Sequence, residues 1–151
     1  MTATARSRHY ERGAAVVEFA VASVLLLTLM FGIIDFGRGL YAYSMVINNA
    51  RLGARYAIVR GSGCTNPDCP ATKDSIQDYV RSQSSLVDPT DVTVTSKWPG
   101  TNSTCSATSA PYNAQGCLVS VQVTYQFQFI LPLIPTGSWP LSSTSQMVIS
   151  Q

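Results

Sequence analysis

Residues 14–34 read AAVVEFAVASVLLLTLMFGII, and from 13 to 34 the single ionisable side chain is Glu18. A helix that crosses a bilayer core needs about 20 mostly apolar residues. This run meets that length, so it predicts a membrane-spanning helix with the rest of the chain appended to it. Charged residues make up 12% of the chain, against roughly 25% in an ordinary soluble domain. Within residues 13–34 the charge content falls to that one side chain.

The flanks of the run are basic. Residues 1–13 carry Arg6, Arg8 and Arg12 against Glu11, and residues 35–60 carry Arg38, Arg51, Arg55 and Arg60 against Asp35. Excess Lys/Arg marks the cytoplasmic side of a span, which places the N-terminus there, but with both flanks basic the rule alone leaves two orientations open. The cysteines favour one. Cys64, Cys69, Cys105 and Cys117 all lie beyond the run, and an even number in a small domain fits disulfides in an oxidising compartment. Four cysteines allow three connectivities. Cys64–Cys69 with Cys105–Cys117 is favoured because each pair closes a short loop rich in Gly, Pro, Ser, Thr and Asn. The expected topology is a single pass through the cytoplasmic membrane, N-terminus cytoplasmic and C-terminal domain outside.

Four segments follow: a basic leader (1–13), a transmembrane helix (14–34), its extramembrane continuation (35–60) and a small α+β domain (61–151). In 35–60 apolar and small residues recur at helical spacing through Phe36, Leu40, Met45 or Val46, Ala50, Ala54 and Ala57, so 14–60 reads as one long helix with one packed stripe. Ala50, Gly53, Ala54 and Ala57 allow a close approach on that stripe. Gly32, Gly37 and Gly39 predict a bend or softness, because glycine inside a helix costs about 1 kcal/mol relative to alanine. Residues 61–72 are a loop by composition, and 73–84 predict a short helix capped by Thr72 with Ile76, Tyr79 and Val80 on one side. Residues 91–98 and 117–129 alternate as strands, the second placing Val119, Val121, Val123, Tyr125, Phe127 and Phe129 on one face. Prolines 132, 135 and 140 interrupt the pattern, and 142–150 predict a third strand. The fold class is therefore α+β: a long N-terminal helix, membrane-spanning in its first half, packed on a small antiparallel sheet of about three strands. Phe127 and Phe129 are expected in the core.

Glu18 is the most informative residue, since a carboxylate in a membrane helix is expensive and marks function by default. It is the fifth residue after Gly13, within Arg12-Gly13-Ala14-Ala15-Val16-Val17-Glu18-Phe19. That stretch resembles the processing site of type IV pilin-like proteins. The blocks Phe31-Gly32-Ile33-Ile34-Asp35-Phe36-Gly37-Arg38 and Asn48-Asn49-Ala50-Arg51-Leu52-Gly53-Ala54-Arg55-Tyr56-Ala57 resemble those of TadE-like proteins, pseudopilins of the tight-adherence (Tad/Flp) pilus system. Asp35 stands where that family commonly has glutamate. The resemblance is specific over about residues 12–60. It implies cleavage between Gly13 and Ala14 by a prepilin peptidase, and a pairing role in assembly for Glu18, with Phe19 beside it. The partners it implies are the membrane, that peptidase, other Tad pilins or pseudopilins and the pilus assembly platform. Asn48, Asn49, Arg51 and Arg55 belong to the second block and are candidate partner contacts. Asp35 and Arg38 read as a solvated ion pair on one helix face.

Catalysis is not expected. The single histidine, His9, lies in the leader, which leaves no histidine for a triad or metal centre in a processed chain. The cysteine spacings lack the paired CxxC of a zinc site, and no GxxxxGK[ST] phosphate loop is present. Asp74, Asp78, Asp88 and Asp91 read as surface charge. The expectation is no catalytic residue, no metal, no cofactor, no small-molecule substrate and, lacking a compact basic patch, no nucleic acid. The leading reading is a structural or assembly component of a Tad-type pilus or related secretion machine. The alternative is an uncleaved, single-pass membrane-anchored binding domain. A secreted domain released by signal peptidase is weaker, since the apolar run continues into a patterned helix and offers only Tyr41-Ala42 as a cleavage site.

Overall fold

In the computed structural model, which describes residues 5–84, 88–100, 105, 113–130 and 137–150 (backbone alone for 5–12 and 89), the chain begins as one uninterrupted α-helix, α1, Ala5–Ile58. At about 1.5 Å per residue its 54 residues extend roughly 80 Å. The helix starts within the expected leader and passes through the glycine cluster at 32–39 without a break in its helical assignment.

The two halves of α1 have opposite surroundings. From 13 to 34 the side chains are exposed, apart from half-buried Ser23 and Gly32, and nothing of the chain's own domain covers them. The polar Thr28 satisfies itself there by donating its hydroxyl to Val24 O at 2.8 Å. From Ala42 onward a stripe turns inward: Ala42, Val46, Asn49, Ala50, Gly53, Ala54 and Ala57 are buried. Their steps of one, three and four residues trace one face of an α-helix. Phe36 and Leu40, expected on this stripe, are instead 68% and 53% exposed. The inward face runs instead through Asp35, Gly39 and Ala42, beside the expected positions, where Ile130 and Phe127 lie against the helix.

That sheet has three antiparallel strands in the order β1 (Val92–Lys97), β2 (Leu118–Gln128) and β3 (Ser138–Val148). Alternation in β2 turns Val119, Val121, Val123 and Phe127 towards α1, leaving Gln122 and Gln128 exposed. Val92 and Ile149 complete the layer. β3 begins earlier than expected and contains Pro140, opposite Gln126. A proline without an N–H is tolerated at that position because β3 is an edge of the sheet. Prolines 132 and 135 lie outside the described residues.

Helix α2, Lys73–Gln83, closes the core from the side. Thr72 caps it: its hydroxyl accepts from the Ser75 N–H at 3.1 Å, and the Ser75 hydroxyl accepts from the Thr72 N–H at 2.9 Å. Ile76 and Val80 point inward and are fully buried. α1, α2 and β2 meet at Gly53. A Cβ there would lie 2.9 Å from Val80 Cγ2 and 3.0 Å from Val121 Cγ1. The small residue is what lets the three elements close together.

Two covalent links and one terminal clasp finish the domain. Disulfides join Cys64 to Cys69 in the loop after α1, and Cys105 to Cys117 at the start of β2. Ser150 donates both its N–H and its hydroxyl to Ile58 O, each at 3.0 Å, satisfying a carbonyl at the end of α1. Trp98 is buried, Phe129 half-buried, and Trp139 is 63% exposed.

Candidate functional site

The residues singled out in the sequence fall on three levels of α1. At the first level, Gly13, Ala14, Glu18 and Phe19 are all exposed, Phe19 by 74%. The space where a Gly13 Cβ would stand is empty to 4 Å. Glu18 lies one helical turn beyond Ala14. The isolated chain thus presents a carboxylate on a bare apolar helix, with nothing of its own fold packed over it.

The second level is the exit from the apolar run, and here the structure corrects the sequence reading. Asp35 is 3% exposed rather than solvated. Its Oδ1 accepts from Arg38 Nη1 at 2.8 Å, and its Oδ2 accepts from the Ile130 backbone N–H at 3.0 Å. One carboxylate therefore ties the helix to the chain just beyond β2. Arg38 remains partly in solvent, its side chain 42% exposed, and its guanidinium lies 5.4 Å from the centroid of the Phe127 ring. A cleft of about 470 Å³ opens beside this junction, lined by Gly37, Arg38, Tyr41, Ala42, Asp88, Tyr125 and Phe127. Asp88 accepts from the Thr90 N–H at 2.9 Å and from the Thr90 hydroxyl at 2.7 Å. These bonds hold its carboxyl below the ordinary value of 3.8.

The third level carries the second block, and it divides. Asn48, Arg51 and Arg55 face outward. Asn49 does not: it is 2% exposed, and its Nδ2 donates to Ser84 Oγ at 2.8 Å, while the Ser84 hydroxyl donates to Val80 O at 3.0 Å. Asn49 holds the C-terminal end of α2 and is not part of the outward surface. Beside Arg55, Tyr56 stacks on Tyr79 with centroids 4.4 Å apart, and the Arg60 guanidinium lies 3.9 Å from the Tyr56 centroid. A shallow groove of about 290 Å³ runs between Leu52, Arg55, Tyr56, Val59, Arg60 and Tyr79.

The sequence did not show the Asp35–Ile130 and Asn49–Ser84 bonds, which join residues 95 and 35 positions apart. Their one local sign was a polar residue on the helix at a position later found to be inward. Among the described residues, no group of three or more His, Cys, Asp or Glu side chains is placed to hold a metal ion.

Fold and site together fit a single-helix membrane anchor: a long helix, apolar and bare in one half, clasped by a disulfide-linked α+β domain in the other. Residues 13–55 match the TadE-like protein family model, so over the helix the chain is similar to TadE-like proteins, in agreement with its two sequence blocks. The match lies wholly within α1. That family is a structural pilus component, and the match suggests a component of a Tad pilus with a membrane-anchoring N-terminal helix. No curated protein and no solved structure matches the chain.

Proposed function

We propose that the protein is a pilin-like structural subunit, a minor pilin or pseudopilin, of a Tad-type pilus or related secretion machine. In this reading a prepilin peptidase cuts between Gly13 and Ala14 on the cytoplasmic side. The domain stands on the opposite side, where the two disulfides persist. The observation that supports it most is the bare apolar half of α1 carrying an exposed Glu18. A helix uncovered by its own domain needs lipid or other helices around it. A carboxylate in that setting needs a partner charge.

Cleavage would create an α-amino group on Ala14, and Glu18 would pair with that amine on a neighbouring subunit, setting the axial register between helices. Asn48, Arg51 and Arg55 face outward on the extramembrane half and are the surface offered to partner subunits or the assembly platform.

Intact mass and N-terminal sequencing of membrane-extracted protein, with and without a cognate prepilin peptidase, test the processing step. A peptidase-dependent start at Ala14 is expected. An uncut chain in the presence of active peptidase would refute the pilin-like reading in favour of an anchored binding domain. Glu18→Gln is expected to be cut normally and to assemble poorly. Wild-type assembly of that variant would refute the pairing role.

A further inference from the structure

β2 approaches the membrane segment as it runs. Phe127 sits over Gly39, with ring atoms 3.8 Å from where a Cβ would stand, and Ile130 is bonded to Asp35. Among the described residues, the C-terminal end of β2 and the start of β3 are therefore the membrane-proximal rim of the domain. Ile130 and Trp139 stand on this rim, 60% and 63% exposed. Trp139 is held there by its register opposite Phe127 and by an edge-to-face contact with Phe129, centroids 6.5 Å apart.

Beyond residue 60, the described large apolar side chains left exposed are Ile130, Trp139 and Val148, and two of the three share this rim. Their height can be worked out from the helix. The apolar run ends at residue 34. Ile130 is level with residue 35 and Trp139 with about residue 39, which lie roughly 1.5 and 7.5 Å further along an axis rising 1.5 Å per residue. The headgroup layer on each side of a bilayer core is about 5–8 Å deep. Ile130 falls within it and Trp139 at its outer edge, where the layer meets water. Tryptophan, with an apolar body and one N–H donor, is the residue that layer favours. On the helix, exposed Phe36 lies at the same level, about 3 Å beyond residue 34.

We propose that this rim, through Ile130 and Trp139, is a second lipid contact: the domain rests in the headgroup layer of the bilayer that α1 crosses. The inference rests on the membrane-anchoring part of the function proposed above. Two attachment points, helix and rim, hold the domain at one height and tilt. The Asn48, Arg51 and Arg55 face is then presented at a defined orientation.

The chain contains two tryptophans, and Trp98 is 7% exposed, so it serves as an internal control. The full chain is reconstituted at high lipid-to-protein ratio in phosphatidylcholine vesicles, with and without bromine near the glycerol end of the acyl chains. Trp139 emission is taken as wild type minus Trp139→Phe. Blue-shifted emission that the brominated lipid quenches and aqueous iodide does not is the expected result. Water-like emission open to iodide would overturn the lipid contact. So would blue-shifted emission that the brominated lipid leaves unquenched, since protein would then cover the residue. Iodide and bromolipid quenching of the unsubstituted chain give the same decision if Trp139→Phe shifts the Trp98 signal through misfolding. Vesicle flotation separates the two layers of the argument: failure to float overturns the anchoring itself, whereas flotation with an unquenched Trp139 overturns the rim contact alone.

Discussion

Substitution of Asp35 tests how the membrane half of α1 is locked to the domain. In Asp35→Ala, the Ile130 N–H and the Arg38 guanidinium both lose the acceptor they have at 3.0 and 2.8 Å. A hydrogen bond to a charged group contributes about 1.5–3 kcal/mol net. Arg38 is 42% exposed and can turn to water, so its share is at most about 1 kcal/mol. The local loss at Ile130 is therefore about 1.5–3 kcal/mol. Asp35→Asn keeps a neutral acceptor for the same N–H and should lose about 1 kcal/mol. Amide hydrogen exchange on the full chain in lipid reads this directly, because the end of β2 can open without global unfolding. At tenfold per 1.4 kcal/mol, Ile130 should exchange roughly 10- to 150-fold faster in Asp35→Ala and about fivefold faster in Asp35→Asn. If the asparagine variant exchanged as fast as the alanine variant, charge pairing with Arg38 would be the dominant contribution and the hydrogen-bond argument would be wrong. Wild-type exchange in Asp35→Ala would mean that Ile130 is held by something else.

Three further perturbations separate local from tertiary effects. Gly53→Ala gains about 1 kcal/mol of helix propensity but loses about 1–3 kcal/mol to overpacking against Val80 and Val121, so a lower Tm is expected; a raised Tm would show that the two valines can move aside. Asn49→Ala should lower stability by about 1 kcal/mol, because Ser84 keeps its bond to Val80 O and loses only its donor; unchanged urea unfolding together with lost partner co-purification would return Asn49 to the contact surface. Asp88, held by Thr90, should titrate below 3.8 by NMR, and Thr90→Ala should raise its midpoint. Because its folded-state value is the depressed one, the stability it contributes is present above 3.8 and is lost as pH falls through the lower folded value. A midpoint at or above 3.8 in the native protein would contradict the Thr90 bonds.

The elements were legible in the sequence because each rests on a short-range pattern. An apolar run of bilayer length, a helical stripe from Val46 to Ala57, a Thr72 cap and the strict alternation in β2 are all written within a few residues of one another. The order β1-β2-β3 was not legible in the same way, since 20 residues separate β1 from β2. Which side of the lower turns packs was not legible: Phe36 and Leu40 fit an apolar stripe, yet the inward face runs through their neighbours Asp35 and Gly39, because Ile130 and Phe127 arrive on that side. Pro140 was read as a break because the sequence does not say which strand is an edge.

What the tertiary structure alone decided are the polar bonds that span the fold. Asp35 on Ile130, and Asn49 on Ser84, pair groups brought together by packing, and no local periodicity encodes such a pairing. The same holds for Gly53: in the sequence it is one small residue among several, and in the fold it is the point where Val80 and Val121 leave no room for a Cβ. Local patterns act through backbone geometry, which the neighbouring residues set. Burial and hydrogen-bond partners depend on which distant surface arrives, and that is settled only when α1, α2 and the sheet close together.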